Sequence, residues 1–546
     1  MAHRPFILSM SMKRYFLLSV AAVICSCGPK TYVDPDLDPE ISVSGTFTSW
    51  PKYTDVINYD FSENKEEYTP PTENLPYAKY FKETKKKDLS MEYTYGGWSY
   101  FAGPNANSKV STDTLAVQLM LEQLETDAKY LREVMGWPPT ELERRGYRNA
   151  VFLYGSGLTT DNAKNNETGG WQSWVNVYGT EYPVLLLSYY PVDCFSPDGN
   201  YNDRYYHTHA VTHEYIHVIF NSMPGCRNAS WFHEGANCWL QAYMDAQRAG
   251  DAEIKEFGWL CAGTIIAPFI PIECYGGWLH DDSFGGPNWM NQGLNNNTRR
   301  ILGGVQYSEV FPSFMGEFLG KGSVPWVWQN CKGYVLDGIS KQMGDEQVKR
   351  MIKEFRARIA LCDMGRYSNA TLKIYKANMG ENIASDIQGK TVEPWKATPY
   401  VSVSEDETGW LVPEIRTLPG WTGANIIPVD VTGLDELITA FKPEGPDSSP
   451  QNMSCQLCYR TKDGKTVYGE PFSEGSFRLD LSGERPANDV VFAIVCNTSY
   501  KYTNTIRKTR YDYRLKFSEG AVLADIHKKW FDWKAEIEEV QSIGLN

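Results

Sequence analysis

One short stretch, Val211 to Ala236, constrains the chain more than any other part of it. It contains the pattern His-Glu-Tyr-Ile-His from residue 213 to 217, so two histidines stand four residues apart. On an α-helix, residues i and i+4 lie one above the other, with Cβ atoms about 5–6 Å apart. The spacing therefore predicts a helix that presents two imidazoles on one face. Two imidazoles held in this way can bind one metal ion at about 2.0–2.1 Å each.

Two glutamates extend this predicted metal site. Glu214 lies between the histidines in sequence, where its carboxylate projects beside the metal and can take a proton from an attacking water. A catalytic zinc site has three protein ligands and one open position. Glu234 follows His217 by seventeen residues, in a second helix predicted to start at Trp231, and is the candidate third ligand. The alternative is an ordinary amphipathic helix whose histidines fall at i and i+4 by chance.

The second glutamate stands in the segment WFHEGAN, from residue 231 to 237. Together with the HExxH pattern, this segment resembles the gluzincin metallopeptidases, in which a second helix carries a Glu, often as W-x-x-E-G-x-A. Asn237 stands here where that pattern has Ala. The resemblance covers the surroundings of the site and not the whole chain. A wider similarity is to uncharacterised bacterial lipoproteins that combine an HExxH domain with a β-rich C-terminus.

The resemblance to gluzincins has definite implications for the site. It implies a Zn²⁺ ion whose ligands are His213, His217 and Glu234. It also implies that Glu214 is the general base of peptide hydrolysis. In gluzincins an edge strand lies over the metal and pairs with the extended substrate, and we assign the run from Tyr182 to Tyr190 to that strand.

Three further polar residues stand close to the motif. His209 lies four residues before His213, so it either lines the mouth of the site or simply stands at the helix entrance. His233 and Glu234 are adjacent, and neighbours on a helix point about 100° apart, so only one can face the metal. His is the commoner zinc ligand in general, but the W-x-x-E-G pattern favours Glu234 and leaves His233 for substrate. Asn237 is a candidate to hold a ligand histidine through its second ring nitrogen.

The N-terminus resembles a bacterial lipoprotein signal. Lys13 and Arg14 precede an apolar run from Tyr15 to Ile24, which is too short to span a bilayer. Cys-Ser-Cys follows, and Ser26 is the small residue expected before a cysteine that becomes lipidated. Cys27 is therefore the predicted lipidation site, with a plain secretory signal as the alternative. We expect a protein of the cell envelope, lipid-anchored at the outer membrane or cell surface, or secreted if it is not lipidated.

Length and composition predict several domains and limit the partners. A chain of 546 residues exceeds one ordinary core. We expect a lipoprotein signal over residues 1–27, a tether and N-terminal segment over 28–89, a zinc metallopeptidase-like domain over 90–394 and a β-sandwich over 395–546. The formal net charge of −14 argues against nucleic-acid binding, which needs basic stripes. The expected partners are a membrane, through the N-terminal lipid, and a peptide, protein or glycoprotein substrate.

Apolar periodicity supports this division. Residues at alternating steps of four and three predict a helix over Val117 to Met135. Beyond Trp395 the pattern changes to short strand-like runs, at residues 425–429, 455–460, 466–468, 477–481, 490–496 and 511–517. Strands at this spacing predict a β-sandwich. The predicted fold class is therefore α+β, a gluzincin-like metallopeptidase domain followed by a C-terminal β-sandwich.

These patterns predict an exported zinc-dependent peptidase that hydrolyses peptide bonds with a metal-activated water and a Glu base. The rival is a catalytically silent surface lipoprotein, or one that binds glycoprotein or glycan, on a metallopeptidase scaffold. The 17 Trp and 34 Tyr are consistent with either, because such side chains line both peptide and carbohydrate grooves. A protein that only binds has no need of Glu214, which favours the enzyme.

Overall fold

The computed structural model describes most of the chain. The described residues are 43–47, 49–50, 61–85, 91–106, 115–158, 161, 169–197, 204–226, 229–251, 254, 257, 264–265, 268–269, 271–273, 309–320, 322–379, 400–402, 409–413, 418–503, 505–506 and 509–524. Over these ranges the protein is α+β, with helices and three sheets. None of the helices in these ranges is both long and apolar enough to cross a membrane.

The described α-helices fall mostly in the first two thirds of the chain. They are α1 (Tyr77–Lys85), α2 (Leu115–Glu133), α3 (Glu141–Arg144), α4 (Tyr189–Asp193), α5 (Arg204–Asn221), α6 (Ser230–Ala249), α7 (Val310–Phe314), α8 (Ser323–Asn330), α9 (Val335–Met343), α10 (Asp345–Ala360) and α11 (Ser368–Met379). One π-helical turn, Met315–Leu319, continues α7, and short 3₁₀ turns lie at Phe61–Asn64, Gly365–Tyr367 and Ala487–Asp489. Helix α2 confirms the periodicity seen from Val117 onward, and it ends at Glu133.

The strands form one sheet early in the chain and two later. They are β1 (Val43–Ser44), β2 (Thr46–Phe47), β3 (Met91–Tyr95), β4 (Trp98–Ala102), β5 (Asn149–Leu153), β6 (Gly170–Val177), β7 (Thr180–Leu187), β8 (Tyr400–Ser402), β9 (Leu411–Pro413), β10 (Ala424–Asp430), β11 (Glu436–Glu444), β12 (Met453–Arg460), β13 (Thr466–Gly469), β14 (Gly475–Asp480), β15 (Val490–Asn497), β16 (Asp512–Phe517) and β17 (Val522–Leu523). All six strand-like runs predicted beyond Trp395 overlap these strands, whereas β8, β9, β11 and β17 were not predicted.

The first sheet has five strands in the order β3-β4-β5-β7-β6. Strands β4, β5 and β7 run parallel to one another, and β3 and β6 are antiparallel edges. Helices cover both faces. In β5, Val151 and Leu153 pack in the apolar cluster that includes α2 and α5, whereas Phe152 packs on the other face against α1. Strands buried on both faces read as continuous apolar runs, which is how β5 and β7 read in the sequence.

The structure corrects the predicted edge strand. Within Tyr182 to Tyr190, the residues up to Leu187 belong to β7, which lies between β5 and β6. The edge is β6, which precedes β7 and joins it by a two-residue turn, Tyr178-Gly179, with φ of 50° and 84°. Two consecutive positive φ angles are the mark of a type I′ hairpin. Strand β6 alternates poorly between buried and exposed residues, so the apolar periodicity of the sequence does not predict a strand there.

The two later sheets share an apolar core. Their strand orders are β1-β14-β11-β16-β9-β8 and β17-β10-β15-β12-β13-β2, and almost all pairs are antiparallel. Inward-facing residues of both sheets, such as Phe441 and Phe477 from one and Leu457 and Val495 from the other, form a single cluster. Two sheets face to face around such a cluster form a sandwich.

Part of the segment predicted as a tether belongs to these sheets. Strand β1 pairs with β14 at Val43 and Phe477, and β2 pairs with β13 at Phe47 and Tyr468. The same segment also supplies α1, which covers one face of the first sheet. The N-terminal residues that the structure describes are therefore built into the fold.

Candidate metal centre

Two packed helices supply the side chains of the predicted site. Helix α5 carries the HExxH pattern in its second half, and α6 begins at Ser230, one residue before the predicted start. The two helices contact each other directly. The Asn237 side chain of α6 then reaches α5, where its Nδ2 donates to the main-chain oxygen of His213 at 2.7 Å.

Three polar atoms converge between these helices. The Nε2 atoms of His213 and His217 lie 3.2 Å apart. The Oε2 atom of Glu234 lies 3.2 Å from the first and 3.3 Å from the second. Within the described parts of the chain, this is the group of histidine and acidic side chains whose geometry could hold a metal ion.

The spacing of these atoms can be compared with what a metal needs. A tetrahedral zinc ion lies about 2.0–2.1 Å from its nitrogen and oxygen ligands, which places those ligands about 3.3–3.4 Å from one another. The three measured separations lie close to that value. Two imidazoles and one carboxylate are also donors that zinc accepts, and three of them leave the fourth position open. The residues therefore fit a catalytic type of zinc site.

The candidate ligands perturb one another's protonation. Burial opposes ionisation of Glu234, but His217 and His213 outweigh it and hold the pKa of that carboxyl well below its usual range. Burial also lowers the pKa of His217, and the neighbouring Glu234 carboxylate outweighs this, so the pKa is raised overall. These directions favour a protonated His217 beside an ionised Glu234. A cation that binds all three atoms must displace that proton.

Glu214 lies beside the three atoms and contacts the edge strand. Its Oε2 accepts a hydrogen bond of 2.7 Å from the main-chain N–H of Gln172 in β6. Burial raises the pKa of Glu214, against the opposing effect of His213 and His217. A raised pKa makes the carboxylate a stronger base, which suits a group that accepts a proton and releases it again.

The side chains of the neighbouring residues His233 and Glu234 point in different directions. The His233 ring lies edge to face against Trp328, with centroids 4.6 Å apart, and its centroid is 6.3 Å from that of His217. It therefore lies on the side of α6 that faces α8, outside the three converging atoms. His209 lies in α5, but its side chain falls outside the described residues, and so does Cys27.

Asn237 contacts α5 in a different way from that predicted. We expected it to accept from the second ring nitrogen of a ligand histidine, but it donates to the main-chain oxygen of His213. Its Oδ1 is buried and has no hydrogen-bond partner among the described residues. The contact joins the backbone of one candidate ligand to the helix that carries another, and so fixes the distance between them.

Two residues at the site were missed by sequence reasoning, Gln172 and Asp127. Asp127 of α2 is fully buried and accepts hydrogen bonds from Thr212 Oγ1 at 2.6 Å and from Arg248 Nη1 at 2.7 Å. Thr212 directly precedes His213, and Arg248 lies in α6. The signal for Gln172 was the Tyr-Gly turn that joins β6 to β7. No signal in the sequence pointed to Asp127, which stands on the apolar face of α2.

Comparison with known proteins does not identify the chain: no protein-family model, no curated protein and no solved structure matches it significantly.

Proposed function

We propose that the protein is a zinc-dependent peptidase of the gluzincin type. The observation that carries the proposal is the convergence of His213 Nε2, His217 Nε2 and Glu234 Oε2, at separations close to those that zinc requires. Glu214 adds a carboxylate next to this point. A purely structural zinc site would have four protein ligands and no open position, and it would need no such base.

The roles of the residues follow from their positions. His213, His217 and Glu234 would hold the ion, and zinc bound there supplies Lewis-acid chemistry that lowers the pKa of water and polarises a carbonyl. Glu214 accepts the proton of the attacking water and passes it to the leaving amine. Asn237 and Asp127 hold α5 and α6 in register, so the ligand atoms keep their separations.

The edge of the first sheet offers a place for the substrate. Strand β6 is an edge strand, and no other described strand pairs with its outer side. An extended peptide can add to such an edge through main-chain hydrogen bonds. Trp171 and Trp174 of β6 are 37% and 40% exposed and provide aromatic surface there. These features support a peptide, protein or glycoprotein substrate.

Replacement of the base tests the proposed reaction. Glu214→Gln keeps the size of the side chain and removes its basicity, so hydrolysis of a mixed peptide library should fall by about 10²–10⁴. Zinc content, measured by metal analysis of the purified protein, should not change. Glu346→Gln alters an exposed carboxylate at the start of α10 and should keep full activity. A Glu214→Gln variant as active as the wild type would rule out the mechanism.

We also propose that the protein is exported and anchored in the cell envelope by a lipid on Cys27. The proposal rests on the basic and apolar run before Ser26 and on the small residue that precedes the cysteine. Cys27→Ala should move the protein from the membrane fraction to the soluble fraction without loss of zinc. Retention of this variant in the membrane fraction would contradict lipid anchoring.

A further inference from the structure

The pairing of β6 with β7 determines which main-chain N–H groups of β6 point outward, away from the sheet. The main-chain N–H of Ser188 donates to the oxygen of Gly169 at 3.0 Å, just before the ladder begins. In an antiparallel pair, hydrogen-bonded residues alternate with residues whose main-chain groups point away from the partner. The ladder pairs Trp171 with Leu186 and Gln172 with Leu185. Counting from Gly169, Trp171 faces β7, and the N–H of Gln172 points outward, away from β7.

Two contacts join Gln172 to α5. Its outward N–H donates to Glu214 Oε2 at 2.7 Å. Its side-chain Oε1 accepts from Asn221 Nδ2 at 2.8 Å, two helical turns further along α5. The neighbouring Gly170 allows this approach, because a Cβ there would lie 2.9 Å from Leu187 Cδ2 and 3.5 Å from Glu214 Cγ. The strand and the helix are therefore held together at two points, one of which is the candidate base.

We propose that Gln172 is the positioning residue of the base, acting through its main-chain N–H. This proposal rests on the proposed peptidase function. A glutamate has several rotatable bonds, and a hydrogen bond to a charged carboxylate is stronger than one between neutral groups. The bond selects the rotamer that keeps the carboxylate at the free edge of β6, where an extended substrate would bring its peptide bond. Because this N–H donates to Glu214, it is not available to a substrate. Its loss should therefore lower turnover and leave substrate affinity unchanged.

Amide hydrogen exchange tests the contact without any assay of activity. An outward N–H on an edge strand exchanges readily unless something accepts it. In wild type and in Glu214→Gln, whose side-chain oxygen still accepts, the Gln172 amide should be protected. In Glu214→Ala it should exchange about tenfold faster, the loss expected for one hydrogen bond. The amide of Trp174, which also points outward, should behave alike in all three proteins. An unprotected Gln172 amide in the wild type would overturn the proposal.

Proline substitution tests the consequence for catalysis. Gln172→Pro removes the outward N–H and no ladder bond, which is the place where an edge strand tolerates proline. We expect kcat to fall about ten- to a hundredfold, with KM and zinc content unchanged. Gln172→Ala keeps the N–H and should retain more of kcat than Gln172→Pro. Glu346→Gln, the exposed control on α10, should leave kcat and KM as in the wild type.

The outcomes separate this proposal from the proposed function. A Gln172→Pro variant with raised KM and unchanged kcat would mean that the N–H binds substrate, which overturns the positioning role. A wild-type protein that hydrolyses no peptide would overturn the peptidase function instead. In that case the exchange of the Gln172 amide alone decides whether the strand holds Glu214.

Discussion

At the scale of single residues, the third ligand is the point on which the assignment of the site depends. Glu234 and His233 are adjacent on α6, so their side chains point in directions about 100° apart. The structure directs the Glu234 carboxylate toward His213 and His217, and the His233 ring toward Trp328. Zinc favours histidine in general, but the direction of the two side chains makes the Glu234 carboxylate the candidate third ligand.

Zinc content of two variants tests this assignment. Glu234→Ala removes a direct ligand, and its effect on zinc affinity should exceed the about 10–100-fold loss that follows removal of a supporting residue. His233→Ala should keep about one zinc ion per chain, because its ring contacts Trp328 outside the trio. Metal analysis of both purified proteins decides between them. If His233→Ala loses the metal while Glu234→Ala keeps it, a three-histidine site replaces the gluzincin assignment.

The sequence predicted those residues of the site that lie in a local pattern. The i, i+4 spacing of the histidines and the WFHEG segment were enough to name the four central residues. The structure brings three of them together and places Glu214 beside them. The sequence did not predict the roles of Gln172 and Asp127. These residues reach the motif helix from 42 and 85 positions away, through contacts that depend on how the sheet and helices pack.

At the scale of elements, Asp127 ties the helices of the site together. It lies on α2, binds Thr212 of α5 and Arg248 of α6, and accepts a third hydrogen bond from Gln123. Arg248 also stacks on the Tyr130 ring, with its guanidinium carbon 4.4 Å from the ring centre. The two helices that carry the candidate ligands are thus fixed to one buried carboxylate on a third.

Removal of this carboxylate should loosen the site as well as the fold. Removal of one partner of a buried ion pair typically lowers the free energy of unfolding by about 3–5 kcal/mol. We expect Asp127→Ala to lose stability of that order in urea denaturation, and to bind zinc more weakly. Asp337→Ala breaks an exposed pair with Lys341 on α9 and should change neither property. Full stability in Asp127→Ala would show that the three helices hold their positions without it.

Elements themselves were predicted with uneven success, for physical reasons. Helix α2 has strong apolar periodicity and six of the later strands stand out as apolar runs, and the structure confirms them. Strand β11 was missed, because it begins and ends in glutamate around a short apolar centre. The order of strands within a sheet is set by non-local pairing and packing, which a linear pattern does not encode. For that reason β7 was taken for the edge in place of β6.

At the scale of the whole molecule, the helical part and the later sheets share a buried boundary. The outer face of the β10-β15-β12-β13 sheet packs against α10, and residues such as Ile426, Phe492 and Ile494 belong to the same apolar cluster as α2 and α5. One apolar cluster thus includes residues on both sides of the boundary predicted near residue 395.

Polar contacts reinforce this boundary. Arg460 of β12 is 6% exposed and donates from Nε to the main-chain oxygen of Leu361 at 2.7 Å, and from Nη2 to that of Cys362 at 3.2 Å. These oxygens lie just beyond the C-terminus of α10, where a cation is favourable. Nearby, Tyr468 of β13 donates to the Asp363 carboxylate at 2.5 Å.

Loss of the Arg460 side chain should therefore weaken the whole molecule. Arg460→Ala leaves the oxygens of Leu361 and Cys362 buried without this donor, and we expect a loss of about 2–4 kcal/mol in unfolding free energy. Arg460→Lys should recover only part of it, because an ammonium cannot reproduce the planar fork of a guanidinium. Arg478→Ala removes an exposed arginine of the same sandwich, paired with Glu436, and should leave the urea midpoint unchanged. An Arg460→Ala protein as stable as the wild type would show that apolar packing alone holds the sheet against α10.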